Sequence, residues 1–283
     1  MSPTDRSQLS GSSAARPSSV HRLALLLEYD GSAFLGSQLQ STGRTVQGTL
    51  EQAWSSFTGD HVRAHFAGRT DTGVHARGQV ATIDTESARD SATIRSALNH
   101  FLPDDFAVRA ATEVAAGFDA RRHASSRVYQ YVIEDGRTRS PISRDRAWQR
   151  ERQLNAAAMT EAASRLPFEE RDWAAFGGPT APDYPTVRLL HRSDLRRVAP
   201  HRLEYTVAAS GFLPHQVRRM VGALVQVGDG ALTPDQFADL IDGLPGSVGP
   251  TAPPQGLTLF QVHYPPGTID WSAGGAGDGT EEI

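Results

Sequence analysis

The side chains best suited to chemistry stand together in one short stretch, residues 67–76. It carries a guanidinium (Arg69), a carboxylate (Asp71) and two hydroxyls between Gly68 and Gly73. Glycine tolerates backbone angles and close approaches that other residues resist, so this pattern predicts a compact loop. An aspartate has an ordinary pKa of about 3.9, is ionised at neutral pH, and can act as a nucleophile or a base. Because many turns have this composition, Asp71 could equally be a turn-forming residue.

Two later segments supply side chains that could serve such a carboxylate. Residues 127–133 alternate as a strand does and present Tyr129. The amphipathic segment 211–222 presents Arg218 beside a stripe of apolar residues at helical spacing. Taken alone, a tyrosine in a strand is more often a core aromatic, and an arginine at a stripe's edge is often a surface residue.

The composition excludes several classes of chemistry. The chain of 283 residues has no cysteine, and all 28 of its basic residues are arginine, which removes thiolate sites, Schiff-base lysines and a phosphate-loop lysine. No apolar run reaches the roughly 20 residues that span a bilayer, and no secretory signal begins the chain. These features predict a cytoplasmic protein without a membrane segment. The net charge of −4 requires that any polyanion-binding face gather its arginines together.

The first half predicts the βαββαβ order of a ferredoxin-like unit, with helices on one face of a sheet. The expected strands are 21–29, 61–66, a strand ending near 84, and 106–112; the expected helices are 45–57 and 90–101. The second half repeats the pattern with different lengths. Its expected strands are 127–133, the hairpin 189–198 with 202–208, and 257–264; its expected helices are 155–166, 216–227 and 234–242.

These elements predict an α+β protein of two ferredoxin-like (RRM-like) domains with antiparallel sheets joined across a central cleft. The N-terminal domain, residues 21–115, carries the 67–76 loop, and the C-terminal domain covers residues 116–264. Residues 1–20 and 265–283 are rich in small, polar or charged residues and predict disordered tails.

The motifs in this order resemble the TruA family of tRNA pseudouridine synthases. The loop matches the family's signature, and seven further segments fall in the expected positions: 29–31, 46–47, 118–121, 125–131, 186–188, 217–222 and 256–257. The resemblance covers about residues 22–264. It implies a homodimer that acts on tRNA, at uridines 38, 39 and 40 of the anticodon stem-loop.

The resemblance also assigns roles to single residues. Asp71 would be the catalytic nucleophile with Arg218 as its catalytic partner. Tyr129, Arg69 and Arg188 would bind the substrate, with Arg69 helping to displace the target base from its stack.

The chain departs from the family's usual pattern at several positions. Ser37 stands where tryptophan is usual, Leu39 where a basic residue is, and Pro214 where arginine or tyrosine is common. Gln216 replaces a methionine and Gln255 a lysine. Because Ser37, Leu39 and Pro214 lie in segments that the family uses to hold RNA, these changes bear on substrate affinity and site preference.

The residues themselves are consistent with this chemistry. Turning uridine into pseudouridine gains no atom and transfers no electron, so we expect neither a cofactor nor a metal. The reaction needs an anionic group at the sugar or base, an arginine that favours its charged form, and an aromatic ring on an extruded base. Whether the carboxylate attacks the base, attacks the sugar or removes a sugar proton stays open at this point.

Two alternatives belong to other classes. A non-catalytic RNA-binding protein of the same fold would have no use for Asp71 beside phosphates. A glycosidase-like enzyme would need a second carboxylate near Asp71, for which Asp84 and Glu86 are the candidates. His61 and His65 have a spacing that binds metal on a helix, but their segment predicts a strand.

Overall fold

A computed structural model describes residues 20–272, and these form an α+β structure with a ten-stranded, mostly antiparallel sheet, which confirms the predicted class. The strands are His21–Tyr29 (β1), His65–Phe66 (β2), His75–Thr85 (β3), Phe106–Val114 (β4), Ser126–Asp135 (β5), Trp148–Arg150 (β6), Glu170–Asp172 (β7), Val187–Ala199 (β8), Arg202–Ala209 (β9) and Leu257–His263 (β10). The α-helices are Val46–Thr58 (α1), Ser91–Phe101 (α2), Ala156–Ser164 (α3), Gln216–Gly228 (α4) and Pro234–Asp239 (α5).

The main path of the sheet runs β4-β1-β3-β10-β5-β9-β8-β7, with β2 added to β3 and β6 added to β5. The closing strand β10 therefore lies between the first half and the second. It is parallel to β3, where Leu259 pairs with Ala76, and antiparallel to β5, where the same Leu259 pairs with Tyr129. The start of β3, just after the Asp71 loop, and Tyr129 therefore lie on the two sides of the same β10 residue.

Helix α1 shows how local sequence sets an element's ends. The Thr45 side chain accepts a hydrogen bond from the Gly48 N–H, and Gly59 ends the helix in the left-handed conformation with φ of +82°. Leu50 and Trp54 are buried on the face predicted from their spacing. The N–H groups of its first turn donate to the carbonyls of Gly36 and Ser37 in the segment before the helix.

The predicted strand 61–66 is wrong over most of its length, because only His65 and Phe66 pair with β3. The Ala64 N–H instead donates to the Glu51 carboxylate on α1, at 3.0 Å. The Glu51 side chain thus accepts the hydrogen bond that the Ala64 N–H would have donated to a neighbouring strand. Helix α5 is also shorter than predicted, and a 3₁₀ turn continues it over Leu240–Asp242.

Large aromatic residues of the second half complete its core. Trp173 and Phe176 are fully buried, and Phe176 contacts the ring of Phe237. These two side chains therefore offer no apolar surface to a second subunit, whereas Phe101 and Phe168 are exposed.

The predicted tails, 1–20 and 265–283, lie mostly outside the described residues. Within residues 265–272, Ile269 and Trp271 pack against the core. No helix in residues 20–272 is both long and apolar enough to cross a membrane.

Candidate active site

The structure places Asp71 and Arg218 in direct contact. Arg218 Nη1 donates to Asp71 Oδ2 at 2.8 Å, and Arg218 Nε donates to the Ala252 carbonyl at 2.8 Å. The Arg218 side chain is 15% exposed and that of Asp71 32%. Helix α4 buries the apolar stripe that contains Val217 and Val221, so Arg218 emerges at the stripe's edge and points at the loop. A half-buried, charge-assisted hydrogen bond of this kind holds the carboxylate in one orientation.

The loop before β3 is compact because neighbouring glycines let backbone approach backbone. At Gly31 an added Cβ would lie 2.0 Å from the Val74 carbonyl oxygen, and at Gly36, where φ is +88°, it would lie 2.9 Å from the Thr70 carbonyl oxygen. Only glycine allows both approaches. The chain on either side of Asp71 is therefore packed against the segment that follows β1.

A buried polar network supports the loop from beneath. The Gln79 amide is fully buried, donates to the Gly68 carbonyl at 2.8 Å and accepts from the Gly68 N–H at 3.3 Å. The hydroxyls of Tyr29 and Thr70 lie 2.9 Å apart. Burial raises the pKa of Tyr29 to about 12, partly offset by its hydrogen bonds, so its hydroxyl keeps its proton.

Tyr129 lies in the cleft next to this loop. Its ring meets Phe212 edge-on with centroids 5.3 Å apart, and a Cβ on Gly68 would lie 3.8 Å from its hydroxyl. Burial, reinforced by the nearby Tyr29 and by the charge of Asp71, raises the pKa of Tyr129 above its ordinary value. Tyr129 is 7% exposed and presents a neutral aromatic ring at the lining of the cleft.

Arg127 is a residue whose role the sequence did not indicate. Its guanidinium donates to four main-chain carbonyls: those of Ala67 in the loop, Ser210 after β9, and Arg121 and Ala124 before β5. Burial lowers its pKa from the ordinary value. Carbonyls rather than a carboxylate satisfy this buried cation, which ties the Asp71 loop to the second half of the chain.

His215 is a second residue that the sequence reasoning missed. Its Nε2 lies 3.7 Å from Asp71 Oδ2, and its φ of +61° makes it the one non-glycine residue with positive φ in the described part of the chain. It precedes α4 without capping the helix through its side chain. A left-handed histidine held beside a carboxylate is a strained residue of the kind found at functional sites. The spacing of apolar residues in the sequence does not indicate a left-handed backbone at this position.

A cleft of about 1180 Å³ surrounds these residues. Its lining includes six arginines and Asp71 as the one carboxylate, so the lining carries a formal charge of +5 and the rest of the chain −9, given the total of −4. The arginines are Arg69, Arg121, Arg122, Arg127, Arg188 and Arg218. This is the segregation of charge that a polyanion-binding face requires in an acidic chain.

The predicted binding arginines Arg69 and Arg188 both line the cleft. Arg69 is exposed within the loop. The Arg188 guanidinium lies 5.9 Å from the centre of the Tyr184 ring, and Arg121 Nη2 lies 3.5 Å from the Tyr184 hydroxyl. The structure thus brings Asp71, Arg218, Tyr129, Arg69 and Arg188 to one cleft.

Asp84 does not provide a second carboxylate, because it forms a bidentate pair with Arg22 outside the cleft. Glu86 is exposed and does not line the cleft either. This arrangement disfavours the glycosidase-like alternative. Among residues 20–272, no group of three or more histidine or acidic residues is placed to hold a metal ion.

The departures from the family's pattern fall in different surroundings. Ser37 lines the cleft but is buried against the loop, and Leu39 is exposed outside the cleft lining. Pro214 and Gln216 line the cleft, while the Gln255 carbonyl contacts His75 Nε2 at 3.1 Å.

Comparison with known proteins identifies the family of the chain. The family model described as tRNA pseudouridine synthase matches residues 26–121 and 170–265. The chain is 44% identical over 250 residues to tRNA pseudouridine synthase A of Roseiflexus castenholzii, covering 87% of this chain and 92% of that protein. It is 43% identical over 256 residues to the protein of that name from Chloroflexus aurantiacus (89% and 92% covered), and 42% identical over 247 residues to that of Geobacter sulfurreducens (87% and 100% covered). The resemblance inferred from the motifs is thereby confirmed, and the chain belongs to the tRNA pseudouridine synthase family.

Proposed function

We propose that this protein is an isomerase that converts uridine to pseudouridine in the anticodon stem-loop of tRNA, at positions 38, 39 and 40, with Asp71 as the nucleophile. The observation that carries the proposal is the Asp71–Arg218 pair at 2.8 Å in a cleft whose other formally charged lining residues are all arginines. A carboxylate beside RNA phosphates opposes binding, so its presence is explained by chemistry.

The reaction rearranges bonds within one nucleotide. The bond from the ribose C1′ to N1 of the base breaks, a bond from C1′ to C5 forms, and the proton that leaves C5 is balanced by one gained at N1. Asp71 acts at the nucleotide while the hydrogen bond from Arg218 holds its carboxylate in one orientation. The Tyr129 ring stacks on the detached base, and Arg69 fills the place the base leaves in the stem.

We further propose that residues 21–115 and 116–264 form two ferredoxin-like halves and that the active protein is a cytoplasmic homodimer. The order β1-α1-β2-β3-α2-β4 supports the first half of this division. The second subunit would hold the part of the tRNA that one cleft leaves free. Light scattering of the full chain should then give a mass near twice 30.5 kDa; a fully active monomer would overturn the dimer.

The proposed activity can be tested with tRNA transcripts that carry tritium at C5 of uridine, because each turnover releases that tritium. Wild-type protein should release it, and Asp71→Asn should lower the rate by about a thousandfold or more while still binding the transcript. A transcript with cytidine at positions 38–40 is the substrate control.

Asp84→Asn is the matched protein control, because Asp84 pairs with Arg22 outside the cleft. It should turn over like the wild type. Tight binding of tRNA by the wild type without tritium release would point instead to a non-catalytic RNA-binding protein. Turnover by Asp71→Asn within tenfold of the wild type would remove Asp71 from the mechanism.

A further inference from the structure

The residue that precedes Asp71 has both of its main-chain polar groups bonded to a single neighbour, Ser37. The Ser37 N–H donates to the Thr70 carbonyl at 3.0 Å, and the Thr70 N–H donates to Ser37 Oγ at 2.9 Å. Ser37 is 1% exposed and Thr70 6%. The first of these bonds needs only a backbone, but the second needs a side-chain acceptor one bond from Cβ.

The segment that carries Ser37 is itself anchored to a rigid element. The carbonyls of Gly36 and Ser37 accept hydrogen bonds from the N–H groups of Val46 and Gln47, at 3.2 and 3.0 Å. These donors belong to the first turn of α1, where a helix has no partners of its own for them. Ser37 therefore links the Asp71 loop to the N-terminus of a helix whose apolar face, with Leu50 and Trp54, is buried in the core.

The side chain of Thr70 is held by hydrogen bonds as well. Its hydroxyl lies 2.9 Å from that of Tyr29, which in turn lies 3.4 Å from Gln79 Nε2. Gln79 holds both main-chain groups of Gly68. The main-chain N–H and C=O groups of Gly68 and Thr70 are thus all hydrogen-bonded. This fixes the backbone just before Asp71, whose side chain is directed at Arg218.

From this arrangement, and resting on the function proposed above, we propose that Ser37 is a positioning residue for Asp71: its hydroxyl sets the place of the Asp71 carboxylate by holding the Thr70 N–H. Ser37 acts through Thr70, and at 1% exposure it offers little surface to RNA. A serine here therefore serves turnover rather than affinity for tRNA, in contrast to what its place in an RNA-holding segment led us to expect.

The test separates turnover from binding. In Ser37→Ala the Thr70 N–H loses its acceptor in a buried place, so the single-turnover rate should fall about ten- to a hundredfold, as misplacement of a reacting group does. The dissociation constant for tRNA should stay within about twofold, because no exposed contact changes. Ser37→Thr keeps a hydroxyl and should recover most of the lost rate. Ser41→Ala, an exposed serine outside the cleft lining, is the matched control.

A second measurement reports on the bond itself. Amide hydrogen exchange at Thr70 should be at least about tenfold faster in Ser37→Ala, while amides in the middle of α1 exchange as in the wild type. If Ser37→Ala does not fold, Ser37→Cys takes its place, since a thiol is a weaker acceptor of similar size, and a smaller change in the same direction is expected.

The outcomes distinguish this inference from the proposed function. Wild-type protein without tritium release would overturn the function. An active wild type with an inactive Asp71→Asn but an undiminished Ser37→Ala would overturn only the role of Ser37. So would a loss in Ser37→Ala that appears wholly in tRNA affinity, or Thr70 exchange that does not change.

Discussion

At the scale of single residues, the candidate site depends on how one carboxylate is oriented. Arg218 gives Asp71 a hydrogen bond from Nη1 and uses Nε to hold the Ala252 carbonyl, so the guanidinium is fixed at two points. His215 Nε2 lies 3.7 Å from the same Asp71 oxygen, which is too far for a hydrogen bond. The two neighbours have different roles, and two substitutions separate them.

Arg218→Ala should lower turnover by about a hundredfold or more, because it removes a preorganised donor from the reacting group in a partly desolvated site. Arg218→Lys should recover only part of this, since an ammonium cannot span both acceptors as a guanidinium does. Single-turnover tritium release measures both effects. Arg196→Ala is the control, because that arginine pairs with Asp194 away from the cleft. An Arg218→Ala variant as active as this control would show that the pair has no part in turnover.

His215→Gly should lower turnover yet raise stability by up to about 1 kcal/mol. Glycine adopts the left-handed backbone without the penalty that a Cβ brings, partly offset by its greater freedom in the unfolded chain. Urea unfolding measures the stability and tritium release the rate. The combination marks a strained residue retained for activity. A variant that is both less stable and fully active would contradict this interpretation.

At the scale of elements, the site depends on the junction of β1, β3 and β10. His75 opens β3 and is buried there. Its Nδ1 accepts from the Gly31 N–H at 3.0 Å, and its Nε2 lies 3.1 Å from the Gln255 carbonyl beside β10. Arg146 Nη1 lies 3.2 Å from Nδ1, and Arg146 also pairs with Asp30 at 2.7 Å. One imidazole thus joins three chain segments around the loop.

This junction should make the protein less stable as the pH falls below about 6.5. Burial, then the charge of Arg146, lowers the pKa of His75, although Asp30 Oδ1 lies only 3.1 Å from Nδ1. A folded-state pKa below the unfolded one favours the neutral ring. Its stabilisation is complete above the unfolded pKa and is lost as the pH falls from there toward the folded pKa.

The measurement compares urea unfolding of the wild type and His75→Gln between about pH 7.5 and about 5.5. The advantage of the wild type should shrink as the pH falls. Exposed His61, changed to Gln, is the control and should show a constant difference. A wild-type advantage that grows on acidification would mean that His75 is charged in the folded protein.

At the scale of the whole molecule, an acidic chain presents a basic cleft. The lining carries +5 while the remainder carries −9. Such a distribution attracts a polyanion to one face and repels it from the others. Counting charges over the whole chain would have hidden this, because the two contributions largely cancel.

Affinity for tRNA should therefore fall linearly with salt on a double-logarithmic plot, because each phosphate contact releases counterions. Exposed Arg122 lines the cleft, so Arg122→Ala should reduce the magnitude of the slope by about 1. Arg196→Ala should leave the slope unchanged, since that residue lies outside the cleft lining. A salt-independent affinity would contradict binding through this cleft.

The sequence by itself determined the features that depend on near neighbours. Apolar periodicity predicted α1 and α4, turn residues predicted the compact loop, and the signature around Asp71 identified the family. These signals lie within a few residues of each other, so chain order preserves them. Even there the prediction of a strand over 61–66 was wrong over most of its length, because the Ala64 N–H donates to the Glu51 carboxylate of α1 and not to a neighbouring strand.

Only the tertiary structure decided which groups meet at Asp71. Arg218 lies 147 positions away along the chain, and its approach depends on the packing of α4 against α3, α5 and the segment at Pro250. The tertiary structure alone likewise decided the four carbonyls bonded to Arg127, the left-handed backbone of His215 and the hydrogen bond from the Thr70 N–H to Ser37. Each depends on sheet register and helix packing between distant segments, which periodicity and spacing do not encode.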